Sequence, residues 1–168
     1  MLTTYTAYDE IRAALGVAPE EITDDVLELP NYELVLSFDL EDMGDFDPTI
    51  EATFLTLSNT TTTPSPSVDE QRFISIVKVY SAYVIARHLL NSLSMFAPKT
   101  VKDSKTELER IVDPYKDVRA GVESFYLLMR ARVLRAFGVL FPSVTLPTAA
   151  TLAPLIAVGI AADPVTGV

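Results

Sequence analysis

The chain contains no cysteine, only one histidine and only six glycines among its 168 residues. The absence of cysteine excludes a disulfide framework, thiolate chemistry and the usual zinc sites. The single histidine, His88, falls in the apolar rhythm of a predicted helix, and no cysteine or clear serine elbow is present to build a catalytic triad with it. The glycines are scattered and form no phosphate-binding loop. The sequence therefore predicts a protein that is not an enzyme and that uses no cofactor.

Four aspartates crowd one short stretch of the N-terminal half: Asp39, Asp42, Asp45 and Asp47. A calcium-binding loop would also need a glycine at its centre and a glutamate at its end, and the nearby glycine and glutamate do not fall in that register. We interpret the stretch as solvated acidic surface and predict no metal site. A loosely held divalent ion is the alternative.

Charge is distributed very unevenly along the chain. Met1 to Glu70 holds sixteen acidic residues against one basic residue, Arg12, and carries a net charge of −15. Gln71 to Pro142 holds twelve basic and six acidic residues, a net charge of +6, and Ser143 to Val168 has a single charge, Asp163. This separation favours an arrangement that places the acidic part of one copy against the basic part of another copy or of a partner. The alternative is two solvated faces of opposite sign.

Apolar spacing and capping residues predict a mainly α fold, a helical bundle, over residues 1–142. Short helices are predicted before Gly16 and after Thr23, and Pro30 starts another helix that runs to Met43. Alternating apolar residues in this third segment permit a strand as well. The next apolar piece, residues 50–57, is of undecided type, and a Thr- and Pro-rich loop follows it.

Two long helices dominate the prediction for the second half of the chain. Ser67 and Glu70 form a capping-box pattern before a long helix that is predicted to end near Phe96. A short turn and a further helix beginning near Lys105 come next, and Pro114 should kink or restart this helix on its way to residue 140. We expect the two long elements to pack antiparallel.

Residues 143–168 are predicted to form an extended, apolar C-terminal arm. From Phe141 to the end of the chain, four prolines and two glycines stand among Leu, Ile, Val, Ala and Thr, and helices seldom tolerate such a pattern. The apolar side chains that need burial against a partner are Val144, Leu146, Leu152, Leu155, Ile156, Val158 and Ile160.

Three placements of this arm are open. The uncharged stretch is long enough for a membrane span, but its prolines would leave backbone groups unsatisfied in lipid, so we expect no membrane role. The arm could fold over its own helical body. It could also insert into a neighbouring protein, and its reach of about 80 Å from Phe141, far more than covering its own body requires, modestly favours donation to a partner.

Arginines late in the chain could contact phosphates or a neighbouring subunit: Arg119, Arg130, Arg132 and Arg135. Arg132 and Arg135 are three apart and share one helix face, whereas Arg130 and Arg132 point about 200° apart. We interpret them as a solvated or subunit-facing stripe in preference to a nucleic-acid site.

Three segments carry a resemblance to a known family. TAYDEIRAALGVAPEEITDDVLELPNYELVLSFDLEDM holds a short helix, a turn containing glycine, an I-T-D-D cap and the run L-P-N-Y-E before an acidic helix. VYSAYVIARHLLNSLSMFAP is a long helix with a Leu-Leu-x-Ser-Leu ending and an Ala-Pro stop, and PYKDVRAGVESFYLLMRARVL is a final helix. Together they resemble the head–tail connector, or adaptor, family of tailed bacteriophages. The Thr- and Pro-rich loop departs from that pattern.

The resemblance implies a helical bundle that assembles as a ring, commonly of twelve copies, in the neck of the virion. It implies contacts with the portal protein and with a tail, stopper or nozzle protein, assembly in the host cytoplasm, and DNA that passes through the ring without specific binding. In relatives a C-terminal extension contacts or inserts into the portal, and the predicted arm occupies the corresponding place. The alternative is a monomeric or dimeric helical interaction module with a partner-binding C-terminal tail.

Overall fold

A computed structural model of the chain describes residues 1–59, 65–93, 100–103, 106–109, 116–144 and 146. Within these ranges the fold is mainly α, as predicted, and the helices pack together as a bundle. A 3-10 helix at Leu2–Thr4 precedes the first α-helix. The other elements are α1 Tyr8–Leu15, α2 Asp24–Leu27, α3 Pro30–Glu41, α4 Ile50–Ser58, α5 Val68–Leu93, β1 Thr100–Asp103, β2 Thr106–Glu109 and α6 Lys116–Leu140.

The two long helices, α5 and α6, run antiparallel and form the spine of the bundle. Phe73 on α5 packs against Phe137 on α6, with ring centroids 6.1 Å apart. Seven residues further along α5, Tyr80 stacks on Tyr126, which lies eleven residues earlier on α6, at 5.6 Å. Later residues of α5 contact earlier residues of α6, so the two helices run antiparallel. The predicted packing is confirmed.

The N-terminal helices cover one side of this pair. α1, α3 and α4 all pack against α5, and their apolar side chains join those of α5 and α6 in one continuous core. Side chains of this core with no more than 1% exposure include Ile11, Leu27, Leu36, Leu40, Ile50, Phe54, Val77, Ile85 and Val133. One core shared by all six α-helices makes the helices a single packing unit.

Local sequence signals set several helix ends where they were predicted. Gly16 ends α1 in the left-handed conformation, with φ of 69°, which residues other than glycine adopt at a cost. The capping box before α5 is present, because the Ser67 N–H donates to the Glu70 carboxylate at 2.6 Å and the Glu70 N–H donates to the Ser67 hydroxyl at 3.3 Å. These two hydrogen bonds lower the pKa of Glu70.

The alternating segment after Pro30 is a helix, and the strand alternative is wrong. On α3 the side chains of Leu36 and Leu40 are buried, four residues apart, against the core. Leu34 and Phe38, also four apart, are 54% and 55% exposed. Positions two apart on a helix point about 200° apart, so the alternating pattern gives α3 one buried and one exposed apolar face.

The helix predicted to begin near Lys105 does not form there, and this prediction is corrected. β1 and β2 pair as an antiparallel hairpin instead, with Lys102 opposite Glu107 in the register, and the predicted turn from Val101 lies within β1. Threonine and valine favour extended backbone, and opposite charges in facing positions favour this pairing. Helix α6 begins only at Lys116. The predicted end of α5 near Phe96 and the effect of Pro114 lie outside the described residues.

Most of the predicted C-terminal arm lies outside the described residues, and its first part contacts the chain's own body. Val144 and Leu146 are partly buried and pack against the chain's own core. Leu146 comes so close to Gly138 that a Cβ atom there would lie 2.6 Å from the Leu146 Cδ1 atom. The small glycine thus lets the chain fold back onto α6. Contact of these two side chains with a partner stays a prediction, and the other five lie outside the described residues.

One described stretch, Val68–Leu90 of α5, is long and apolar enough to cross a membrane by length and composition alone. More than half of it is buried inside the bundle, and the core helix of a soluble protein commonly has the same character. The finding is weak evidence for a span.

We predict that Phe137→Ala lowers the free energy of unfolding by about 3–5 kcal/mol, the usual loss for truncating a buried phenylalanine. Phe137 is fully buried and its ring contacts those of Phe46, Phe73 and Phe141. Urea unfolding followed by circular dichroism measures the change. Val68→Ala is the control, because Val68 is 81% exposed, and it should cost about 1 kcal/mol or less. Equal losses in the two variants would contradict the described core.

Candidate functional site

The face of the α5–α6 pair that the N-terminal helices leave open is a groove with a volume of about 740 Å³. Apolar side chains line most of it, and Tyr83 and Phe125 stack across it with ring centroids 5.4 Å apart. Three arginines and one carboxylate also line it, Arg72, Arg132, Arg135 and Asp69, so its net charge is positive. We call this surface the basic groove.

Several apolar side chains of the basic groove are open to solvent in a single copy. Phe125 is 51% exposed and Val139 is 55% exposed, and both line the groove. Contiguous exposed apolar surface with a polar rim is typical of a site that binds another protein. The residue types present, aromatic rings and arginines, are also those enriched in the centres of protein interfaces. The groove is therefore suited to a helix or an extended segment with apolar and acidic side chains.

A second exposed apolar surface lies on the acidic part of the chain. Its apolar members belong to α2, α3 and their connection: Val26, Leu29, Leu34 and Phe38. Residues 24–42 hold seven carboxylates and no basic residue. We call this surface the acidic ridge. One subunit thus presents two apolar surfaces whose charges are opposite in sign.

The four predicted contact arginines do not act as one patch. Arg132 and Arg135 are exposed and line the basic groove, in agreement with the prediction that they share a face. Arg130 is turned toward the bundle, where it donates to the backbone carbonyl of Asp42 at 3.2 Å. Arg119 is half-buried near the start of α6. Only two of the four arginines are therefore placed to meet a partner in the groove.

Asp39 lies at a polar junction where α3 meets both long helices. The hydroxyl of Tyr80 donates to one carboxylate oxygen of Asp39, and the hydroxyl of Tyr126 donates to the other at 3.1 Å. Arg87 lies 4.5 Å from the centre of the Tyr126 ring and pairs with Glu123 at 2.7 Å. The junction joins three helices through hydrogen bonds to one carboxylate.

The electrostatics of this junction keep both tyrosines protonated. Burial raises the pKa of Tyr80, and the charge of Asp39 raises it further. Burial and the charge of Asp39 also raise the pKa of Tyr126. A phenol held in its neutral form is a hydrogen-bond donor and a poor base or nucleophile. The arrangement therefore stabilises the fold and offers no evident acid–base chemistry.

The only basic residue of the acidic part is held inside the subunit. Arg12 is buried, donates to the Ile22 carbonyl at 2.8 Å and to Asp9 at 3.0 Å, and pairs with Asp24. The hydrogen bond with Asp24 raises the pKa of Arg12 most. Arg12 therefore balances Asp24 of the acidic ridge, and the N-terminal ammonium pairs with Glu33 at 2.7 Å, which leaves Asp25, Glu28, Glu41 and Asp42 of the ridge as its remaining exposed carboxylates.

The residues considered for metal binding or catalysis are dispersed in the structure. Among the described residues, no three side chains of the metal-ligating types come together, and the Asp39 carboxylate already accepts two hydrogen bonds from tyrosines. His88 is exposed on α5.

Sequence reasoning did not identify the basic groove, although a signal was present. The buried positions of α5 include Phe73, Val77, Tyr80 and Val84, and further apolar residues lie on another face of the same helix. An apolar arc broader than the core requires indicates a second contact surface. Comparison of the chain with protein-family models, with curated proteins and with solved structures finds no match.

We predict that the free energy of unfolding falls as pH rises above about 10. For the Tyr80→Phe variant it should fall less steeply. The raised pKa of Tyr80 means that folding favours the protonated phenol. The contribution of Tyr80 to the free energy of unfolding is fully present below the pKa of an unfolded tyrosine. It is lost as pH rises from that value toward the pKa of Tyr80 in the folded protein. Removing this hydroxyl should reduce the slope by about 1.4 kcal/mol per pH unit.

Urea unfolding between pH 6 and 11 measures these slopes. Between pH 6 and 8 the two proteins should have parallel profiles, because the phenol is protonated in both the folded and the unfolded state. In that range Tyr80→Phe should be less stable by about 1.5–3 kcal/mol, the cost of removing a hydrogen bond to a charged group. Equal slopes above pH 10 would mean that Tyr80 titrates as it does in water.

Proposed function

We propose that this chain is a structural virion subunit: a head–tail connector, or adaptor, whose copies form a ring between the portal and the tail of a tailed bacteriophage. The observation that carries the proposal is the presence of the acidic ridge and the basic groove on one subunit. Two different surfaces that attract each other between copies give heterologous, head-to-tail packing, which closes into a ring when the rotation per copy permits. The family resemblance of the three sequence segments points the same way.

Charge gives this packing its direction. The acidic part, Asp24 to Asp47, would meet the basic part, Arg72 to Arg135, of the next copy. Exposed pairs contribute only about 0–1 kcal/mol each, so they set the register of neighbouring copies more than the strength of their contact.

The surplus of carboxylates suits a protein through which DNA moves. With sixteen acidic residues in Met1 to Glu70, part of this surface would remain free after the copies have packed. A channel or inner rim lined by carboxylates offers phosphates no counter-charge, so DNA can slide without binding. A channel wall lined mainly by Arg119, Arg130, Arg132 and Arg135 would contradict this assignment.

The C-terminal arm is proposed to attach the ring to the portal. Residues 147–168 contain Leu152, Leu155, Ile156, Val158 and Ile160, and their only charge is Asp163. Each such apolar side chain contributes roughly 1.5–3 kcal/mol when it is fully buried, before the cost of ordering the chain. The prolines lower that ordering cost, because the free arm already has fewer conformations to lose.

A helical interaction module that works as a monomer or dimer is the second candidate. The observation in its favour is the open groove between α5 and α6, which has the shape of a helix-binding site. In this case the groove would receive a helix of another protein, and copies of the chain would not form a ring.

We predict that the full-length protein forms multimers of ring size in low salt, and that the double variant Arg132→Glu/Arg135→Glu forms smaller species. Both arginines are exposed, so the fold should be unchanged. Their reversal turns two attractions across the contact into repulsions, and added salt should weaken the wild-type assembly in the same way. Sedimentation velocity measures the mass.

The control for this experiment is Lys116→Glu, a reversal at an exposed residue at the start of α6 that does not line the groove. It should assemble like the wild type. Assembly that is insensitive both to salt and to the arginine reversal would contradict the charge-directed contact. A protein that remains monomeric at high concentration and with its portal would favour the second candidate.

We predict that deletion of residues 147–168 abolishes binding to the portal protein of the same phage and leaves the helical body folded. Truncation after Leu146 keeps the two arm residues that pack on the core. Thermal unfolding by circular dichroism and co-sedimentation with the portal measure the two effects. The matched variant Leu152→Ser/Leu155→Ser/Ile156→Ser keeps the full length and should also lose binding. Normal docking of either variant, or unfolding of the truncated chain, would contradict the assignment.

A further inference from the structure

We infer that the exposed face of α3 in one copy lies in the basic groove of the next copy, with Leu34 and Phe38 as the side chains that enter it. This inference rests on the proposed ring assembly and specifies its contact. It goes beyond charge pairing, because it names an apolar element of the acidic ridge and the apolar surface that receives it.

The lengths of the two elements agree. α3 has 12 residues and is therefore about 18 Å long. The lining of the groove runs from Asp69 to Tyr83 on α5 and from Phe125 to Val139 on α6, about 21 Å in each case. One helix the size of α3 can lie along this groove for its whole length.

The side chains of the two surfaces are complementary in kind. Leu34 and Phe38 are four residues apart, so they stand next to each other on one face of α3. They are the most exposed large apolar side chains of that helix, at 54% and 55%. The groove presents the stacked rings of Tyr83 and Phe125 and the buried side chain of Met129. Contact would remove exposed apolar surface from both partners at once.

Charge also fixes the direction of α3 in the groove. Because Phe73 contacts Phe137, Arg72 and Arg135 lie at the same end of the groove, and Tyr83 and Phe125 lie at the other. α3 ends at Glu41 and is capped by Asp42, and its last carbonyls carry partial negative charge. The carboxyl-terminal end of α3 therefore faces the arginine end, which puts Leu34 and Phe38 on either side of the groove's centre, with Phe38 on the arginine side and Leu34 on the side of Tyr83 and Phe125.

The C-terminal arm is the competing occupant, and its chemistry fits less well. It departs from Leu146, which lies against Gly138, one residue before Val139 of the groove. Residues 147–168 carry Asp163 as their single charge, and the groove's three arginines outnumber its one carboxylate, Asp69, by two. The segment around α3 holds four exposed carboxylates that have no ion-pair partner within the described part of the subunit: Asp25, Glu28, Glu41 and Asp42.

The absence of cysteine from the chain allows a direct test by disulfide formation between copies. Two full-length single variants, Leu34→Cys and Val79→Cys, are purified separately, mixed and oxidised under mild conditions; Val79 lines the middle of the groove and is 40% exposed. A disulfide forms when the two Cα atoms come within about 7 Å, a distance that contacting positions of packed helices reach. We expect the mixture to give a covalent dimer that contains one chain of each variant, identified by mass spectrometry of the linked peptides.

Two other cysteine positions serve as matched controls. Ala131 is exposed on another face of α6, so Ala131→Cys mixed with Leu34→Cys should give little linked dimer. Val139 lies at the arginine end of the groove, so Val139→Cys should also pair poorly with Leu34→Cys. Preferential linkage to either control position overturns the inferred contact or its direction.

Phe38→Ala provides a measurement without cross-linking. Loss of a central aromatic side chain should weaken association between copies by about 30-fold, measured by sedimentation equilibrium. Val68→Ala is the control, because Val68 is 81% exposed and does not line the groove, and it should associate like the wild type. Equal association of Phe38→Ala and wild type overturns the inference.

The outcomes separate this contact from the proposed function. Ring-sized multimers without the Leu34–Val79 disulfide overturn the contact and leave the ring intact. If the disulfide forms but the copies assemble into open-ended multimers that do not close, the contact is supported and the ring is contradicted. The double variant Leu155→Cys/Phe125→Cys tests the chain's own arm. If it forms a disulfide within one chain, and if the two mixed single-cysteine variants do not link, the arm occupies the groove and the inference is overturned.

Discussion

The contact line of aromatic rings between α5 and α6 determines how every other described helix is placed. Phe73, Phe46 and Phe141 surround Phe137 at one end of this line, and Tyr80 stacks on Tyr126 further along. The two tyrosines also donate their hydroxyls to Asp39 and so fix the rotation of α3 about its own axis. Because Asp39 and Leu40 must face inward, Leu34 and Phe38 are left outside. The exposed face of α3 is therefore a consequence of core packing.

The same constraint explains why the groove exists. An α-helix has about 3.6 residues per turn, so a helix with apolar residues on more than one stripe can pack against two partners on different sides. α5 and α6 use one side for the N-terminal helices and leave Val79, Phe125 and Val139 exposed on the other. Exposed apolar side chains carry an unfavourable hydration free energy in a single copy. The proposed contact between copies would remove this cost.

Much of the fold followed from local sequence, whereas both surfaces depend on tertiary packing. The ends at Gly16 and Ser67 were predictable because backbone conformation and capping hydrogen bonds are decided by neighbouring residues. The alternation in α3 was ambiguous, since a period of two fits a strand as well as a helix with two apolar faces. The hairpin that replaces the helix predicted from Lys105 depends on pairing between segments, which helical periodicity does not report. The groove required knowledge of which faces of α5 and α6 the other helices cover.

Net charge and local charge have opposite effects on association between copies. Each copy carries −10, so copies repel at long range, but at physiological salt this repulsion is screened beyond about 8 Å. At contact the arrangement of charges decides the outcome. A two-fold dimer that used the same surface on both copies would place acidic ridge against acidic ridge, or arginine against arginine, and like charges at contact are costly. Contact between the acidic ridge of one copy and the basic groove of another avoids this repulsion. After each copy is added, the assembly still has one free ridge and one free groove. Association by the proposed contact would therefore continue from copy to copy, and it would end in a ring where the rotation per copy closes and in an open chain where it does not.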